Sequence, residues 1–174
     1  MKSKENIVFL GMMGSGKSSI GSLVSKKLKL DFFDIDRLIE NKFDMKISQI
    51  FNLKGEKFFR VVEKNLTLKI LKKNKIVVAL GGGAFINKDI RNEILKSHLS
   101  FWLKWNSKTL IERLRNNSKR PIVSKSTNDE LMELIKKRSN FYSKAMYKIN
   151  CNNLKKNEIV NKILDIYENN KIIN

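Results

Sequence analysis

The chain has 174 residues, 41% of them hydrophobic, a length and apolar content that support one domain around one substantial core and leave no room for a second. Its formal charge of +19, from 36 basic against 17 acidic residues, is spread in pairs such as Lys26-Lys27, Lys72-Lys73 and Lys155-Lys156. A scattered excess without aromatic interleaving argues against a dedicated nucleic-acid surface, though its field attracts small anions. The single cysteine, Cys151, excludes an internal disulfide and a cysteine-based metal cluster. No apolar run approaches the ~20 residues of a membrane span, and Met1 to Glu5 lead straight into a strand. The expectation is a cytoplasmic, monomeric protein with no membrane partner and no specific nucleic-acid partner.

Strands and helices alternate along the chain, which predicts an α/β fold with a parallel sheet. The first strand is read over Asn6 to Leu10, followed by a helix carrying Ile20, Leu23, Val24 and Leu28 on one face. A short strand through Phe32-Phe33 ends at Asp34-Ile35-Asp36. Helical segments follow at Arg37 to Phe43 and Ile47 to Leu53. A longer helix spans Glu56 to Lys73, with Phe59, Val62, Leu66 and Ile70 recurring every three or four residues. Lys75 to Leu80 is a β-branched apolar run suited to a strand covered on both faces, and it stops at Gly81-Gly82-Gly83. Asn87 is placed to cap a helix to Ser97; Phe101-Trp102-Leu103 reads as a strand and Ser107 to Asn117 as a helix. From Ser118 to Asn128 the chain is polar, aperiodic and holds the only proline, Pro121, which predicts a mobile flap. A helix over Asp129 to Lys144, a strand over Tyr147 to Asn150 and an amphipathic helix through Ile159, Val160, Ile163 and Tyr167 complete the domain.

Chemistry concentrates after the strands. Ile7-Val8-Phe9-Leu10 enters Gly11-Met12-Met13-Gly14-Ser15-Gly16-Lys17-Ser18, a strand feeding G-x-x-x-x-G-K-[ST] and then a helix. Glycines let successive N–H groups turn inward, and the helix N-terminus adds its positive dipole end, so the loop is built for a nucleoside triphosphate. Lys17 would reach the β- and γ-phosphates and the Ser18 hydroxyl a Mg²⁺ ion bridging them. Ligands of a parallel sheet gather outside its carboxyl edge, which adds Asp34, Asp36 and the glycine triplet to the candidates. Either aspartate can serve metal, substrate or simply a helix cap. Arg60 either pairs with Glu63 at i,i+3 or points into a cavity. Arg120 beside Pro121 is either a loop arginine in water or one that closes over transferring phosphate. Arg138 follows Lys136-Lys137 on either a solvated face or a site. The lone His98 has no ligand partner in sequence, and the two tryptophans, Trp102 and Trp105, read either as packing at and beside a strand or as an aromatic lining of a site.

Gly11 to Ser18, Asp34-Ile35-Asp36, Phe59-Arg60-Val61-Val62-Glu63, Gly81-Gly82-Gly83-Ala84, Arg120-Pro121 and Lys137-Arg138 together resemble the shikimate kinase family in order, spacing and total length. The resemblance implies a three-layer P-loop fold of the nucleoside-monophosphate-kinase type, with a five-stranded parallel sheet, a helical substrate-binding region and a mobile lid. It implies transfer of the ATP γ-phosphoryl group to the 3-hydroxyl of shikimate, giving shikimate 3-phosphate and ADP on the route to chorismate and the aromatic amino acids. By that likeness Gly14, Ser15, Gly16, Lys17, Ser18, Ser19, Arg113 and Arg120 meet ATP. Arg60, Arg138, Gly81, Gly82 and Gly83 meet shikimate, and Gly82 offers it a backbone N–H. Asp36 orients or deprotonates the attacking hydroxyl, Ser18 is a direct ligand of one Mg²⁺, and Asp34 holds a water on that ion. Two departures stand out: Ile122-Val123 replaces the family's common leucines, and Cys151 to Lys156 lacks the proline often found near the adenine ring. ATP rather than GTP therefore rests on the family alone. The rivals are a kinase acting on gluconate or a nucleoside monophosphate, and a basic P-loop module that binds nucleotide as a switch or sits on nucleic acid.

Overall fold

A computed structural model describes residues 6–116 and 126–173. Five strands form one wholly parallel sheet in the order β2-β3-β1-β4-β5, where β1 is Ile7–Leu10, β2 Asp31–Asp34, β3 Ile76–Ala79, β4 Leu99–Lys104 and β5 Tyr147–Asn150. The intervening helices are α1 (Lys17–Leu28), α2 (Ile35–Phe43), α3 (Ile47–Leu71), α4 (Lys88–Ser97), α5 (Ser107–Arg115), α6 (Asn128–Tyr142) and α7 (Lys156–Ile173), with a 3₁₀ turn at Ala84–Ile86. No described helix is long and apolar enough to cross a membrane.

Strand periodicity explains why the sheet is covered twice. In β1, Ile7 and Phe9 pack with Ile20 and Val24 of α1 and with Ile159, Val160 and Ile163 of α7. Val8 and Leu10, pointing the other way, join residues of α2 to α6, among them Ile39, Ile70, Ile94, Leu114 and Ile135. Crossover handedness gives the same division. The step from β1 to β2 runs in one direction across the sheet, whereas the steps to β3, β4 and β5 run in the other, so right-handed connections put α1 on one face and α2 to α6 on the opposite one. The chain leaves β1 and β3 toward opposite faces, which opens a crevice at their carboxyl ends. The phosphate loop and the glycine triplet both begin there.

Three boundaries differ from the sequence reading. α2 begins at Ile35 and not around Arg37, because the Asp34 carboxylate at the end of β2 accepts a bond from Arg37 N at 3.1 Å and caps the helix. Asp36 therefore lies in the first turn of a helix. The segments read as two helices around residue 54 form α3, broken at Gly55, whose φ of 79° and ψ of 166° are non-helical. α6 begins at Asn128, not after it, since Thr127 and Glu130 exchange bonds of 3.2 and 2.7 Å in a capping box. Most of the expected flap, with Arg120 and Pro121, lies outside the described residues.

Candidate active site

The phosphate loop leaves β1 at Gly11 and enters α1 through Gly16, whose φ of 92° is left-handed and suits a residue without Cβ. Among the described residues no side chain caps α1, which leaves the N–H groups of its first turn to an anion. The Lys17 ammonium lies across the loop, donating to Gly11 O at 2.9 Å and Met12 O at 2.8 Å. Ser18 and Ser19 are exposed beside it, and the Ser19 hydroxyl donates to Gly16 O at 3.1 Å. On the far side of the loop Arg113 of α5 reaches Gly14 O at 3.5 Å, with its guanidinium carbon 3.7 Å from the centre of the Trp105 ring. Cys151 is buried nearby; burial, against the pull of Arg113 and Lys162, pushes its thiol up to about 12, so it stays protonated and inert.

A small, partly open cavity lies beside the loop. Its polar wall is Asp36, Arg60, Glu63 and Arg138, its floor Gly82 and Gly83, and its apolar wall Met13, Ile47, Phe51 and Phe59. Met13 belongs to the phosphate loop, and a Cβ placed on Gly82 would lie 3.0 Å from its Cγ, so phosphate cradle and cavity share a wall. Both sequence alternatives for Arg60 hold at once: it pairs with Glu63 at 2.7 Å and Glu56 at 3.1 Å, and it lines the cavity. Burial works against its charge, but the two carboxylates outweigh that and raise its pKa. Arg138 is 5% exposed, and burial lowers its pKa. Its Nη1 donates to Gly82 O at 3.3 Å, while its Nε is buried with no hydrogen-bond partner among the described residues.

A side chain on the triplet would displace the charged wall. A Cβ on Gly83 would lie 2.6 Å from Arg60 Nη1, and one on Gly81 would strike Glu63 Oε1 and come within 2.8 Å of Asp36 Oδ1. Two residues of this site escaped the sequence reading as participants. Tyr142 donates its hydroxyl to Gly82 O, one helical turn after Arg138, a spacing that could have flagged it. Glu63, read only as a partner for Arg60, is 2% exposed. Its pKa is raised, chiefly by burial and against the pull of Arg60. A raised acid pKa means that the native state binds more protons than the unfolded chain between the two values, so stability contributed at low pH is lost as pH rises through that window. Glu63→Gln is expected to flatten the fall in urea midpoint from the ordinary carboxylate range upward; an unchanged slope would locate it elsewhere.

Donors for a cation are sparse. Among the described residues no group of three or more His, Cys, Asp or Glu is placed to hold a metal. The Ser18 hydroxyl and the Asp34 carboxylate, one oxygen of which caps α2, are oxygen donors of the kind Mg²⁺ takes, and they would leave most of its coordination to phosphate and water.

Comparison with known proteins agrees with this arrangement. A shikimate kinase family model matches residues 13–168. A shikimate kinase of Thermodesulfovibrio yellowstonii is 37% identical over 165 residues, 94% of this chain and 95% of its own. One from Bacillus subtilis is 39% identical over 170 residues, 93% and 88% of the two chains. The structure of shikimate kinase from Acinetobacter baumannii in complex with shikimate superposes with a TM-score of 0.90 at 28% identity, covering 98% of this chain and 96% of that one. With a phosphate loop, a doubly arginine-lined cavity sharing its wall, and matches of this extent, the chain belongs to the shikimate kinase family.

Proposed function

We propose that the chain transfers the γ-phosphoryl group of ATP to the 3-hydroxyl of shikimate, releasing ADP. The observation that carries this reading is the cavity in which Arg60, Arg138 and Asp36 face one another across Gly82, one residue wall away from the phosphate loop. Two planar cations suit a carboxylate better than a lysine would, because each offers parallel donors to its oxygens. The unpartnered Arg138 Nε supports that assignment, since a buried donor without an acceptor is costly until a ligand supplies one. Glu63 and Glu56 hold the Arg60 fork in place from behind.

Asp36 then faces the ring hydroxyls and orients the attacking one, accepting its proton as the bond to phosphorus forms. Phosphoryl transfer leaves little covalent work to the protein, so fixed positive charge and alignment carry most of the rate. Lys17 and the N–H groups of α1 supply that charge on the nucleotide side, and the family resemblance adds the charge of Arg120, which lies outside the described residues. Tyr142 and Arg138 together fix the Gly82 carbonyl, and so the plane of the Gly82–Gly83 peptide on the cavity floor. Mg²⁺ on Ser18, with Asp34 holding one of its waters, would neutralise the triphosphate. The test is ADP release with shikimate, gluconate and a panel of nucleoside monophosphates, with Lys17→Ala as the inactive control. Turnover with shikimate alone is expected; comparable turnover with gluconate or a nucleotide would overturn the acceptor assignment.

A further inference from the structure

Trp105 stands between the two halves of the nucleotide end, and nothing in the acceptor chemistry uses it. It directly follows β4, is half-buried, and packs against the apolar cores on both faces of the sheet, so its ring has a fixed seat. Its indole Nε1 donates to Ser15 O at 2.9 Å, ninety residues away in sequence and inside the phosphate loop. Its ring face carries the Arg113 guanidinium, 3.7 Å from the centroid, and Arg113 itself reaches Gly14 O.

We propose that Trp105 is a positioning residue for the nucleotide, setting the phosphate loop with its edge and the base platform with its face. A trans peptide puts N–H and C=O on opposite sides. Holding the Ser15 carbonyl toward the indole therefore turns the Gly16 N–H away from it, toward the mouth of the loop where phosphate oxygens gather. A guanidinium stacked on an indole is also held flat, and a flat cation presents its other face to a planar heteroaromatic ring. The ligand class is a polyphosphate joined to such a base. Asn152 Oδ1 accepts from Asn106 N at 2.9 Å, next to Trp105, and ties the loop after β5 to the same rim. This inference rests on the reading of Arg113 and the phosphate loop as the nucleotide site, but not on the identity of the acceptor.

The test compares Trp105→Phe, which keeps a ring face and loses the N–H, with Trp105→Leu, which loses both. Calorimetric Kd values are measured for ADP, tripolyphosphate and shikimate, alongside steady-state kinetics. Both variants are expected to weaken tripolyphosphate by about 3- to 5-fold through the lost hydrogen bond. Trp105→Leu is expected to weaken ADP by roughly 10-fold or more as the platform also goes, with Phe recovering part of that loss. The KM for ATP rises in step, while kcat and the Kd for shikimate stay within about 2-fold of the parent. Unchanged ADP binding in Trp105→Leu would overturn the proposal, as would shikimate binding weakened as much as ADP. Should the leucine variant fail to fold, unchanged tripolyphosphate binding in Trp105→Phe overturns it by itself. A chain that needs Trp105 for ADP yet does not phosphorylate shikimate would refute the proposed function and leave this inference standing.

Discussion

Asp36→Asn is expected to lower kcat by about 10²- to 10⁴-fold, the usual worth of a positioned general base, with a much smaller change in KM for shikimate. The asparagine keeps the size of the side chain and one oxygen that accepts a hydrogen bond, so the ring hydroxyls still find a partner. What disappears is the charge that receives the proton. Folding should hardly register the change, because two effects oppose each other. A carboxylate in the first turn of α2 favours the helix dipole by ~0.3–1 kcal/mol. Against that, Asp36 repels the buried Glu63 and helps to raise its pKa, a repulsion that the amide removes. Steady-state kinetics with a urea titration of the same sample checks both halves. A normal kcat would remove Asp36 from the chemistry.

Arg138→Ala should raise KM for shikimate by roughly 100-fold, corresponding to the ~3 kcal/mol that charge-assisted hydrogen bonds to a carboxylate reach, and leave binding of ADP nearly intact. Arg138→Lys should recover only part, since a point charge cannot match two oxygens at once. The stability prediction runs the opposite way from the functional one. Arg138 is buried, burial lowers its pKa, and its Nε has no acceptor among the described residues. Gly82 O, its one oxygen partner, keeps the Tyr142 hydroxyl after truncation. The alanine variant should therefore unfold at the same or a higher urea concentration than the parent. A site residue whose removal does not weaken the fold is held there for its ligand. A variant that loses stability without losing affinity for shikimate would make Arg138 a structural residue.

The parts of this molecule that sequence made legible are those governed by short-range rules. Ile7 to Leu10 and Ile76 to Ala79 appear as strands because unbroken β-branched and apolar runs leave little alternative. Asn87 appears as a cap because its carboxamide serves the N–H groups two and three residues on, at 3.0 and 3.2 Å. The phosphate loop was legible because glycine spacing there is itself the chemistry. Site assembly was less so. Nothing local distinguishes Asp34 as a cap from Asp36 as a cavity wall, and the difference turns on one hydrogen bond at the end of β2. Arg60 looked like a choice between partner and pocket, yet a guanidinium has enough donors for both. Tyr142 shares a helix face with Arg138 in sequence, but its partner Gly82 lies sixty residues away and only the fold brings the two together. Trp105 reads as packing beside a strand or as an aromatic lining of a site; it packs there, and its contacts with Ser15 and Arg113 are set by β4 lying next to β1.

The central claim is that a hydroxylated carboxylic acid and the terminal phosphate of a nucleotide meet over one crevice of the sheet, and a crystal structure with shikimate and a non-hydrolysable ATP analogue bound together tests it most directly. The account predicts the carboxylate on Arg60 and Arg138, the 3-hydroxyl between Asp36 and the γ-phosphate, and the triphosphate wrapped by Gly14 to Ser18. Shikimate seated elsewhere, or lying in the cavity with its carboxylate turned away from both arginines, would contradict it.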